Sequence, residues 1–203
     1  MADWPTIASL STAAGTLVLA VATFGSVRSA NRAARAAERS LYAGLRPLLV
    51  PSRLEDPPEK VGFQDDHWIR VPGGRAIAEV TDDVIYLGMS LRNVGSGIAV
   101  LDRWWLFSEG LQGGAGHEDP EQFRRLTRDL YVPPSDHGFW QGALRDPSDS
   151  EFAPARDAIE ARQRITIDLL YGDFEGGQRS ISRFVLIPDS GEGWLVSQSR
   201  HWN

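Results

Sequence analysis

A chain of 203 residues with 42 % apolar side chains and seven tryptophans has room for an anchor and one folded domain of about 150 residues. It has no cysteine, which excludes disulfides, thiolate metal sites and a cysteine nucleophile. The net charge is −6; residues 1–39 carry +2, so residues 40–203 carry −8, which argues against a nucleic-acid partner because that binding runs on phosphate neutralisation.

The first element in chain order is the apolar run "TIASLSTAAGTLVLAVATFGSV". Ile7–Val27 is twenty-one residues without a charged side chain. As a helix at about 1.5 Å per residue it extends roughly 31 Å, enough to cross a hydrocarbon core. Trp4 stands where an interfacial aromatic belongs, and Pro5 suits a first helical turn. Only Met-Ala-Asp-Trp-Pro precedes the run, so the basic n-region of a cleaved signal peptide is missing and residues 1–27 read as an uncleaved transmembrane anchor. The lipid bilayer is thus the first expected partner, through residues 7–27.

Next comes "SVRSANRAARAAERSL". The spacing of Arg28, Arg32, Arg35 and Arg39 places them on one face of a basic juxtamembrane helix over 28–43, with Ala30, Ala33, Ala34, Ala37 and Leu41 opposite. A stop-transfer flank accounts for them, and the same stripe is placed to face anionic headgroups. All flanking positive charge follows the span, so the expected topology is single-pass in the inner (cytoplasmic) membrane, N-terminus out and domain in the cytoplasm. Small residues four apart (Ser9 and Ala13, Ser11 and Gly15, Ala22 and Ser26) would let a second copy approach closely, so a homo-oligomer is an alternative to a protein partner.

Gly44 and Pro47 stop the helix, and residues 44–203 read as one β domain. Residues 55–75 form an exposed excursion with at most a short strand at 67–71. "VIYLGMSLRNV" alternates with Ile85, Leu87, Met89 and Leu91 on one face, "GSG" follows, and "IAVLDRWWLF" returns, which reads as a hairpin. "DPEQFRRLTRDL" reads as a helix, Asp119 its N-cap, Pro120 at N1, and Phe123, Leu126 and Leu130 on one face. "SEFAPARDAIEARQ" reads as a second short helix. "RITIDLLYGD", "FEGG" and "QRSISRFVLIP" form another hairpin with Ile165, Ile167, Leu169 and Tyr171 on one face, and "GWLVSQSRHW" adds a last strand. Seven or eight strands with one or two short connecting helices predict a mainly β fold, an antiparallel β-sandwich with an immunoglobulin-like layout, preceded by the transmembrane helix.

The chemistry is sparse. No helical His-x-x-x-His, Walker A, G-x-S-x-G or dinucleotide fingerprint is present, and "GLQGGAG" at 110–116 lacks the Gly-Lys of a phosphate loop. Three histidines have acidic neighbours, so Asp66, His67, His117, Asp136 and His137 could supply metal ligands if folded together; ordinary turn and cap roles compete. In "GFWQG", Phe139, Trp140 and Gln141 are suited either to closing one end of the core or to lining a binding groove. Trp104 and Trp105 must split, one inward and one outward, the outward ring offering a contact surface.

"RNVGSGIAVLDRWW", "DLYVPPSDHGFWQGALRDP", "LLYGDFEGGQRSISRF" and "SRHWN" resemble segments of uncharacterised single-pass membrane-anchored proteins of high-GC Gram-positive bacteria. The resemblance covers most of residues 84–203 and the general layout, and implies no catalytic residue and no cofactor. The expectation is therefore a membrane-anchored cytoplasmic binding module rather than an enzyme. A metal-dependent hydrolase using the His/Asp loops is the alternative.

Overall fold

The computed structural model describes residues 3–107, 116–191 and 193–203, with backbone alone for 4–11 and Ala43. "GLQGGAG" lies almost wholly outside the described residues. The chain divides into two units, residues 1–43 and 44–203.

The first unit is helical: α1, Trp4–Gly44, is a continuous helix of 41 residues whose last residue opens the second unit. No proline interrupts it after Pro5, and Ala, Leu, Arg and Glu dominate its second half, all strong helix formers. At 1.5 Å per residue it is about 62 Å long, so about 25 Å of helix follows the apolar run. The arginine stripe is therefore carried on the same rod as the apolar segment. From Thr12 to Tyr42 the described side chains are exposed, Leu17, Val18, Leu19, Val21 and Phe24 by 65–68 %. By length and composition this helix can cross a membrane. Thr16 donates its hydroxyl to the Thr12 carbonyl at 2.9 Å, supplying within the helix the partner that hydrocarbon would not.

The second unit is mainly β. Eleven strands are described: β1 Leu49–Pro51, β2 Glu59–Gly62, β3 Trp68–Val71, β4 Arg75–Thr81, β5 Val84–Asn93, β6 Ala99–Phe107, β7 Arg124–Val132, β8 His137–Leu144, β9 Ile165–Gly172, β10 Arg179–Pro188 and β11 Trp194–Trp202; α2, Phe152–Glu160, precedes β9. All pairings are antiparallel. β8–β5–β4 forms one layer, with β1 beside the end of β5, and β11–β10–β9–β6–β7 forms the other. Two residue pairs, Ala76 with Trp194 and Arg75 with Leu195, join the layers through β4 and β11. At the other side β7 and β8 pass each other with no ladder between them among the described residues.

One core fills the space between the layers. It takes Ile85, Leu87, Met89 and Leu91 from β5 and Ile165, Ile167, Leu169 and Tyr171 from β9, the alternating faces read from the sequence. Phe152, Ala155 and Ile159 of α2, at helical spacing, close one end. β2 and β3 form a separate hairpin whose Val61, Phe63, Ile69 and Val71 cover Tyr86 on the outer face of β5. Gly88 permits this, since a Cβ there would lie 2.8 Å from Ile69 Cδ1.

The exposed excursion expected over 55–75 is instead the β2–β3 hairpin, with Val61, Phe63, Ile69 and Val71 buried. Two further expectations are corrected. β5 and β6 are strands but not a hairpin: residues 94–98 cross from one layer to the other. The buried Asn93 side chain fixes that crossing. Its Oδ1 accepts from Leu48 N (3.1 Å) and Gly95 N (3.0 Å), and its Nδ2 donates to Gly97 O (2.7 Å) and Val132 O (3.0 Å). The glycines of "GSG" serve close backbone approach, since a Cβ on Gly97 would fall 1.6 Å from Leu45 O. The hairpin partner of β5 is instead β4, through a turn in which Asp82 and Asp83 take φ of 50° and 61°. Second, the helix expected over 119–130 is a single 3₁₀ turn, Pro120–Gln122, followed by β7. Asp119 does cap that turn, accepting from Glu121 N at 3.1 Å. Leu126, Leu130 and Val132 also fit a period of two, and pairing with β6 decides in its favour.

Candidate functional site

β7 and β8 are close where they are joined, a Cβ on Gly138 falling 3.0 Å from Val132 Cγ2. Beyond that point a groove of about 180 Å³ lies between them, lined from β7 by Arg124, Arg125, Leu126 and Thr127 and from β8 by Gln141, Gly142 and Ala143, with Arg145 just beyond. Trp104 reaches it from β6 and Phe63 from the β2–β3 hairpin. Gly142 brings the inner rings near: a Cβ there would meet Trp140 Cζ2 at 2.7 Å and Trp104 Cζ2 at 3.0 Å.

The arginines differ in what they are committed to. Arg124 grips Asp149 with both terminal nitrogens, at 2.6 and 2.8 Å, and holds that carboxyl below the usual carboxylate range. Arg145 touches Asp65 only through Nε, at 3.2 Å. Arg125 is exposed and makes no ion pair among the described residues. Gln141 is 4 % exposed, and its Oε1 has no hydrogen-bond partner among the described residues. A buried amide oxygen left so costs about 1–3 kcal/mol unless something donates to it.

Outside the groove, Tyr86 donates to Asp65 at 2.8 Å. Burial disfavours the charge on Asp65, but the donors Tyr86 and Arg145 outweigh it and its carboxyl falls below the ordinary range. Burial, helped by the Asp65 charge, pushes the Tyr86 phenol up to about 12.

The other candidate residues separate. Trp140 is fully buried, edge-on to Trp104 with 5.3 Å between ring centroids, while Phe139 is half-buried beneath the Arg128 guanidinium. Of "GFWQG", then, the tryptophan is core and Gln141 is the side chain that reaches a groove. Trp104 points inward and Trp105 outward, as adjacent strand residues must. The outward ring is only half-exposed, because Phe107 and Phe123 flank it.

The histidines find separate partners. His67 lies 2.6 Å from Glu79 Oε1 and stacks on Tyr86; His117 Nδ1 is 2.7 Å from the Glu118 carbonyl; His137 lies 3.1 Å from Asp136 and 3.4 Å from Glu59. Asp66, at φ 58°, shapes the β2–β3 turn. Among the described residues no three His, Asp or Glu side chains gather as metal ligands.

One arrangement had no sequence signal. Ser182 Oγ is 2.9 Å from both Tyr171 Oη and His201 Nδ1, and His201 Nε2 is 2.6 Å from Asn203 Oδ1. The order hydroxyl, imidazole, amide is that of an activated nucleophile. Ser182 is wholly buried, however, and also accepts from Gln198 Nε2, so the chain acts as a strut tying β9, β10 and β11 together.

The class these observations define is an antiparallel β domain preceded by a long apolar helix. No protein-family model matches the chain, and no curated protein matches its sequence.

Proposed function

We propose that this chain is a membrane-anchored binding module: the apolar half of α1 sits in the inner membrane, and the β domain works in the cytoplasm by holding a partner. The observation that carries the reading is the helix itself. A run of leucine, valine and phenylalanine two-thirds exposed in water is unfavourable at about 25 cal/mol per Å², and a bilayer removes that penalty. The four arginines that follow on the same rod set the direction.

The test is a pair of reporters fused after Asn203, one active only in the cytoplasm and one only outside. The cytoplasmic reporter should be active and the chain should stay in membranes through an alkaline carbonate wash. Activity of the outside reporter would overturn the orientation. Changing Arg28, Arg32, Arg35 and Arg39 to Glu should weaken or invert it.

A further inference from the structure

We infer that the groove between β7 and β8 is a seat for one acidic side chain of an extended peptide segment. This rests on the binding-module reading and names the chemistry of its partner.

Three observations converge. The first is charge. Residues 40–203 carry −8, yet the groove brings together Arg125, which has no ion pair among the described residues, and Arg145, which spends only Nε on Asp65. A basic seat in an acidic domain selects an anionic group and repels it elsewhere. The second is Gln141. Its Oε1 is buried, without a partner among the described residues and in the groove lining, so an occupant with an N–H or O–H donor beside its anion would satisfy it. The third is the pair of strand edges. β7 is paired only with β6, and β8 only with β5, so the edges that face each other across the groove carry no ladder among the described residues. A peptide backbone offers donors and acceptors at strand spacing, and it supplies the donor that Gln141 lacks. About 180 Å³ accommodates one carboxylate side chain rather than a large cofactor.

The experiment uses the full chain in lipid nanodiscs and titrates a capped five-residue peptide, TVEVT, by calorimetry, with TVQVT as control and free glutarate as a third ligand. TVEVT should bind saturably, at least about tenfold more tightly than TVQVT. Arg125→Gln and Arg145→Gln should each weaken it about tenfold. Both arginines are at the surface, and an unchanged melting curve shows that the fold is intact. Gln141→Leu, which removes the acceptor and keeps the volume, should also weaken TVEVT. The proposal is overturned by equal affinity for the two peptides, by no saturable binding, or by arginine variants that bind as the parent does. Glutarate binding as tightly as TVEVT overturns the peptide assignment and makes the site one for small free dicarboxylates. Failure of TVEVT by a chain that resists the carbonate wash sinks the groove alone. Loss of the chain from membranes sinks the anchored reading and leaves the peptide affinity standing.

Discussion

Tyr86 shows how one hydroxyl can tie stability to pH. Its phenol donates to Asp65, lies under Phe63 and stacks on His67, and its folded pKa is about 12 against about 10 for an unfolded tyrosine. The proton is held more tightly in the fold, so its contribution is fully present below pH 10 and is lost as pH rises from 10 to 12. Chemical denaturation across that interval should show stability falling by on the order of 2 kcal/mol from this group. Tyr86→Phe should remove most of that slope. Some should persist, because burial also raises the Tyr171 phenol. An unchanged alkaline slope in Tyr86→Phe would show that the fold does not hold the Tyr86 proton more tightly than the unfolded chain does.

At the scale of elements, the β4–β5 turn carries its own test. Asp82 and Asp83 occupy the left-handed region that a two-residue hairpin turn of this twist requires, where aspartate is tolerated and β-branched residues are not. Asp83→Val should lower stability by about 1–2 kcal/mol, and Asp83→Gly should leave it equal or raised, both read from the denaturation midpoint. The same turn shows what was legible. Strands with strict alternation, β5 and β9, and their core faces could be read directly, as could the β9–β10 hairpin and the helix over 152–160. Pairing could not. "GSG" looks like a hairpin turn until Leu45 and Arg46 are found against it, and that contact is set by chain 49 residues or more upstream. "FRRLTRDL" satisfies periods of two and of 3.6, and only its neighbour β6 decides. Of the groove, the sequence showed Gln141 within "GFWQG"; Arg125 and Arg145 were invisible because twenty arginines to one lysine look like a coding bias rather than a site.

At the scale of the whole molecule, residues 44–203 hold a core of their own and should fold without α1. A fragment beginning at Gly44 should be soluble, with a β-type circular dichroism spectrum and a cooperative melt; a helical spectrum or persistent aggregation would count against the division. How the two layers are joined has a further consequence, one of time. Among the described residues the layers share a strand ladder only where Ala76 and Arg75 of β4 meet Trp194 and Leu195 of β11, and Trp194 is itself a buried core residue. That seam spans 118 residues of chain. At a synthesis rate of about 5–20 residues per second, β4 must wait roughly 6–24 s after emerging before its partner exists. Throughout that interval β4 has β5 along one edge and nothing along the other. The aspartates of the tight turn, which close β4 onto β5 within a few residues of synthesis, therefore shelter one edge of the nascent sheet early, while the other stays open until β11 is made.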